Sequence, residues 1–224
     1  MPEIDRPLPA ETILEANLYL LGTPCSACSG RRRIDPAAMP VPGHAHRLSA
    51  RVHCPSCQKD ATIVFEINSG EIAGHPIRWF EKVEAFGGSG APSISASESP
   101  SKLIDLSGWL TLVSLFQEQA RAHPNEKAKA RPFELMASAC LEEALKFYDA
   151  DNDLPPEDAF FFTASRKRFV DRPELFTRQR LINERNALPR VPAAQPSAPT
   201  VKPEASTPPE SSGKPSWWPF GKKR

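Results

Sequence analysis

Two matched pairs of cysteines are the residues in this chain best suited to chemistry: Cys25 and Cys28 in "TPCSACSG", Cys54 and Cys57 in "VHCPSCQKD". Cys140 is the only other thiol. Cys-x-x-Cys pairs serve dithiol redox exchange, a disulfide framework or a metal ion. A redox pair normally stands at a helix start, where the thiolate is stabilised. These pairs instead sit beside short apolar runs of strand character, and there are two of them. Disulfides are rare in reducing compartments. Zinc favours four thiolates at a tetrahedral site, and each Cys-x-x-Cys turn can bring two of them to one ion. One structural Zn2+ held by Cys25, Cys28, Cys54 and Cys57 is therefore expected. Four thiolates close the shell, whereas catalytic zinc keeps an open position beside a general base. His44, His46 and His53 lie nearby and are candidates for substitution or a second site. Loop histidines are more often plain surface residues, so they stand outside the expected ligand set.

The elements around the cysteines must bring the two turns together. "LYLLG" before the first pair reads as a strand. "RLSARVHC" and "ATIVFEI" flank the second pair, the latter alternating Ile63, Phe65 and Ile67 against Thr62, Val64 and Glu66. This predicts strand, turn, strand, twice over. "RRRIDPAAMPVPGHA" between them is polar and proline-rich enough to be a connecting loop. A small β unit has a poor core-to-surface ratio, which a structural metal offsets.

The arrangement resembles the zinc ribbon (rubredoxin-like) class over roughly residues 18–68, in which two knuckles from successive β-hairpins clamp one ion. Ribbon knuckles often carry Gly directly after the second cysteine, where the backbone must turn. This chain has Ser29 and Gln58 there, and a residue other than Gly can hold such a conformation at modest cost.

Beyond the ribbon the pattern changes. Residues 1–17 read as a polar lead-in, 18–85 as the ribbon unit and 86–102, "FGGSGAPSISASESPSK", as a flexible linker. Its glycines miss the G-x-G-x-x-G spacing of a phosphate loop. Residues 103–188 then show helical periods. Leu106, Trp109, Leu110, Val113 and Ala120 share one stripe, stopped by His123-Pro124. Phe133, Met136, Ala137, Cys140, Leu141, Ala144, Leu145 and Tyr148 form a second, predicted to start at Pro132 with Glu142 and Lys146 on its wet face. A third helix is expected after Asp153, a candidate cap, and a fourth over 172–188. Asp149, Asp151 and Asp153 fail the calcium-loop pattern, which needs Gly and Glu where Leu154 and Phe160 stand. From residue 189 the Pro-rich composition predicts a disordered tail ending in "WWPFGKKR". The fold class expected is α+β: a small β-rich zinc ribbon, a bundle of three or four helices and a disordered tail.

The 28 basic and 27 acidic side chains nearly cancel, so no global field draws the chain to nucleic acid or membrane. Neither a secretory signal nor a membrane-length apolar run is recognisable, which predicts a cytoplasmic chain without a transmembrane segment. The leading expectation is a non-enzymatic, zinc-binding interaction or adaptor protein with a protein partner. Trp217, Trp218 and Phe220 are the candidate contacts, in a groove of a partner protein, back on this chain's own ribbon or bundle, or, with Lys222, Lys223 and Arg224, in weak contact with a membrane surface. The alternative is a nucleic-acid-associated ribbon using Arg31, Arg32 and Arg33 on phosphates. The weakest is an enzyme with a site assembled in the helical region.

Overall fold

A computed structural model describes residues 6–35, 37–68, 77–78, 94–95 and 97–189. The expected tail contacts Trp217, Trp218 and Phe220, like the glycines of the expected linker, lie outside these residues. The architecture is α+β. A six-stranded mixed sheet runs in the order β1-β5-β4-β3-β6, with β2 pairing β4 off that path. Its strands are β1 (Leu8–Ala10), β2 (Arg33–Ile34), β3 (Ala37–Pro40), β4 (Arg47–Cys54), β5 (Lys59–Ile67) and β6 (Ile77–Arg78). The helices are α1 (Ile13–Gly22), α2 (Leu106–Arg121), α3 (Lys127–Leu145), α4 (Thr163–Asp171) and α5 (Arg178–Ala187).

The β4–β5 hairpin is the antiparallel centre of the sheet. Its register runs from Arg47↔Glu66 to Cys54↔Lys59, so the second cysteine pair forms the hairpin turn. Leu48, Ala50, Val52, Ile63, Phe65 and Ile67 are buried, as period-two alternation requires. β1 adds to β5 in parallel, Leu8 opposite Phe65.

The run before the first cysteine pair is a helix, not a strand, and it begins inside the expected lead-in. Thr12 is its N-cap, and Thr12 Oγ1 accepts from Glu15 N–H at 3.1 Å. Glu15 reaches back to accept from Glu11 N–H at 2.6 Å, one residue beyond a capping box. Ala16, Leu18 and Leu20 are buried on the sheet and helix core, while Tyr19 meets Phe65 edge-on at 5.8 Å. A helix packed on several sides shows no clean 3.6-residue stripe, so the apolar run imitated a strand.

Sheet and helices share one core. Leu18, Leu48 and Phe65 belong to the same buried cluster as Trp109, Leu112, Met136 and Leu141. The described residues fall within one compact unit, Met1–Ala193. The described end of the expected linker is packed rather than loose. Ile94 is buried and its carbonyl accepts from Thr12 Oγ1 at 2.7 Å, while Ser101 Oγ donates to Glu15 Oε1 at 2.6 Å.

The α2 stripe is buried as the period predicts, with Asp105 capping it through Gly108 N–H at 2.8 Å. α3 starts at Lys127, five residues before the expected Pro132, which lies inside the helix. Pro132 therefore omits one backbone hydrogen bond rather than opening the helix. The expected wet-face pair is also reassigned. Exposed Glu142 approaches Arg185 at 3.4 Å, whereas Lys146 Nζ donates to buried Glu143 at 2.8 Å and to Ser97 O at 2.7 Å. Asp153 caps a different helix from the one predicted: its carboxylate accepts from Gln179 N–H, at the start of α5, at 2.8 Å. Cys140 is fully buried in the core, and burial pushes its thiol well above the ordinary range. No helix among the described residues is long and apolar enough to cross a membrane.

Candidate metal centre

The first cysteine turn leaves the end of α1, and the second joins β4 to β5. The sulfurs of Cys25, Cys28, Cys54 and Cys57 all lie within 4.8 Å of one another. Across the two turns, Cys25 Sγ stands 3.7 Å from Cys57 Sγ and Cys28 Sγ 3.4 Å from Cys54 Sγ. A disulfide would hold them at about 2.05 Å, and all five cysteines are free. An ion with metal–sulfur bonds of about 2.3 Å at a tetrahedral centre spaces its ligands about 3.8 Å apart. The donor set fits one metal ion of that size and preference with little movement.

Each turn is built the same way. Ser29 N–H donates to Cys25 O at 2.7 Å, and Gln58 N–H donates to Cys54 O at 2.7 Å. Ser29 and Gln58 take φ of 58° and 57°, the left-handed conformation that curls the turn over its sulfurs. The positions where Gly is missing are therefore the positions that use Gly's conformation. Gly30 serves another purpose. A Cβ there would lie 2.7 Å from Ser56 Oγ and 3.2 Å from Cys28 Sγ, so its bareness lets one turn nest against the other.

Backbone N–H groups aimed at sulfur set the thiol chemistry. At Cys25 the Ala27 N–H is the largest influence and brings the thiol down to about 6. The Cys57 N–H lowers Cys54. At Cys28 the Gly30 N–H lowers the thiol, but the Cys54 sulfur and burial together leave it raised. Burial first, then Cys54, pushes Cys57 up to about 12. Each close sulfur pair thus joins a thiol that ionises readily to one that resists. A divalent cation is the natural counter-charge that lets all four ionise together.

The three histidines stand outside the cysteine group. His53 Nδ1 instead meets Asp60 Oδ1 at 2.7 Å, on the hairpin beside the second turn. The arginine triplet does not form one face. Arg31 is exposed, Arg32 turns in toward the Tyr19 hydroxyl, and Arg33 pairs on β2 opposite His53. The entry of the first turn from a helix escaped the sequence reading. "TILE" at 12–15, a Thr followed three residues on by Glu, is the signal that marks it.

No family model matches the chain, and neither a curated protein nor a solved structure shows significant similarity to it.

Proposed function

We propose that the chain is a non-enzymatic interaction or adaptor protein of zinc-ribbon type, in which Cys25, Cys28, Cys54 and Cys57 hold one structural Zn2+. The observation that carries this reading is the closed set of four sulfurs within 4.8 Å, with every ligand supplied by the chain itself. Four thiolates select zinc or iron among common metals. The role of zinc here is to staple the turn after α1 to the β4–β5 hairpin, leaving the outer surfaces to partners.

The test begins with elemental analysis of the purified full chain. One equivalent of zinc, lost in Cys25→Ser and Cys54→Ser, supports the site; iron with its red colour, or no metal, overturns the zinc assignment. The adaptor role is tested by capture from native lysate with and without nuclease, comparing the full chain with one lacking residues 214–224. A protein partner that survives nuclease supports it. Recovery that depends on nucleic acid and on Arg31, Arg32 and Arg33 would favour the alternative reading. The divergence of those three side chains supports it less well.

A further inference from the structure

α4 is a helix with no buried residue and an unbalanced charge. From Arg166 to Arg180 six cations stand against two carboxylates, Asp171 and Glu174, in a chain that is nearly neutral as a whole. None of the six forms an ion pair among the described residues. Lys167, Arg168 and Arg172 line one cavity of about 410 Å³, with Asp171 as the carboxylate in its lining. Arg180 Nη1 donates to the carbonyl of Leu175, another lining residue, at 2.9 Å, which puts a fourth cation at the edge. Arg168 is held without a carboxylate. Its Nη1 lies 3.4 Å from both Ser107 Oγ and Thr111 Oγ1, and its Cζ stands 5.8 Å from the centre of the Phe176 ring. Phe162, 44% exposed, adjoins this cavity: with Ser165 it lines a second one of about 180 Å³, and the two share Ala164 and Arg168. The carboxylate in the second lining, Asp105, is buried and accepts from Gly108 and Phe161 N–H. A helix dipole favours a cation in the last turn, which accounts for Arg168 or Arg172 singly. It does not account for four cations gathered without counter-charge, because like charges four residues apart weaken a helix.

We infer that the α4 face binds a single-stranded nucleic acid, one phosphate lying among Lys167, Arg168 and Arg172 and an adjacent base against the exposed Phe162 ring. The inference goes beyond the adaptor reading, and its surface shares no residue with the four-cysteine cluster. A row of cations beside an exposed aromatic ring is the combination that holds a single strand, since every base has a face that stacks. Successive phosphates supply the repeated negative charge that four gathered cations call for, where an isolated phosphate would leave some of them unmatched. A membrane surface fits less well. Val170, 76% exposed, stands between Arg166 and Lys167 on the outer side of α4, so this short helix has no apolar stripe to insert.

The test uses the full, metal-loaded chain and fluorescein-labelled decauridine, read by anisotropy. The metal content of each variant is measured first, so that failure of the zinc assignment and failure of this surface are distinct. Expected is binding whose logarithm falls against the logarithm of salt concentration with a slope of about −2, for three phosphate contacts at roughly 0.7 each. Lys167→Gln with Arg172→Gln should weaken binding by about tenfold or more and flatten that slope, with the melting temperature unchanged because both side chains are exposed. Phe162→Ala should weaken binding about tenfold while leaving the slope as it was, a split that a merely structural loss would not produce. Arg31→Gln with Arg33→Gln should alter neither. Absence of binding at low salt, equal affinity for a duplex of the same length, or losses that follow Arg31 and Arg33 instead overturn the inference. Tighter binding to phosphatidylserine vesicles than to decauridine overturns it in favour of a membrane surface.

Discussion

Ser29 and Gln58 hold a backbone conformation that costs an L side chain roughly 1–2 kcal/mol. Replacing either by Gly should stabilise the metal-loaded chain by up to about 1 kcal/mol, less the entropy that Gly adds to the unfolded chain. Thermal melts of S29G and Q58G check this; a loss of stability at both would mean that the side chains earn their place by contacts. Gly30 predicts the opposite behaviour. Gly30→Ala should weaken metal affinity about tenfold by pushing on Ser56 and the Cys28 sulfur. Adding Ser56→Gly should recover most of that, as read by competition with a chromophoric chelator. Affinity should also fall with falling pH, because binding displaces thiol protons and Cys57 holds its proton up to about 12. The cysteine set itself was legible, since spacing alone specifies two turns that each offer two sulfurs. That their left-handed positions lack Gly was legible too. The nesting of Gly30 against Ser56 was not, because it is a contact between turns far apart in sequence.

Helix boundaries were the less legible level, and α1 shows why. Its cap is local and readable, but its burial is decided by β5, α2 and the 94–101 segment, which no window around residue 17 contains. Thr12→Ala should cost about 1 kcal/mol from the cap alone, and more if the bond to the Ile94 carbonyl contributes. Lys146 offers a stronger test of packing. Its ammonium is the ionic partner of buried Glu143, so Lys146→Ala should destabilise by roughly 3 kcal/mol in denaturant titration. Loss below 0.5 kcal/mol would mean that Glu143 is adequately solvated. Burial raises the carboxyls of both Glu15 and Glu143, with Ser101 and Lys146 respectively opposing the shift. For a carboxyl raised in the folded state, the folded chain binds more protons, so its contribution to stability falls as pH rises from about 4.5 through the folded value. The metal centre has the opposite slope. Comparing melts of the parent with Glu143→Gln from pH 5 to 8 isolates the carboxyl effect: the parent should lose ground to the variant as pH rises.

At the scale of the molecule, the described sheet and helices meet in one buried cluster. Composition suggested a break at 86–102, because Gly, Ser and Pro mark flexible chain when nothing packs on them. Ile94 and Ser101 carry the contacts that composition could not report. Chelating the metal should therefore lower the melting temperature of the helices together with that of the sheet, in one transition. Circular dichroism at a helical wavelength, followed with and without chelator, checks this. A helical transition that ignores the chelator would show that the two layers melt independently.

The parallel pairing of Leu8 with Phe65 also places the molecule in time. A chain leaving the ribosome at roughly 5–20 residues per second presents β1 and α1 several seconds before β5 exists to receive them. The partners of Glu15 and Gly22, Ser101 and Leu112, emerge later still. The first cysteine pair likewise appears before the second. Among the described helices α1 is made first, and its apolar residues wait for cover until the sheet and α2 have followed it.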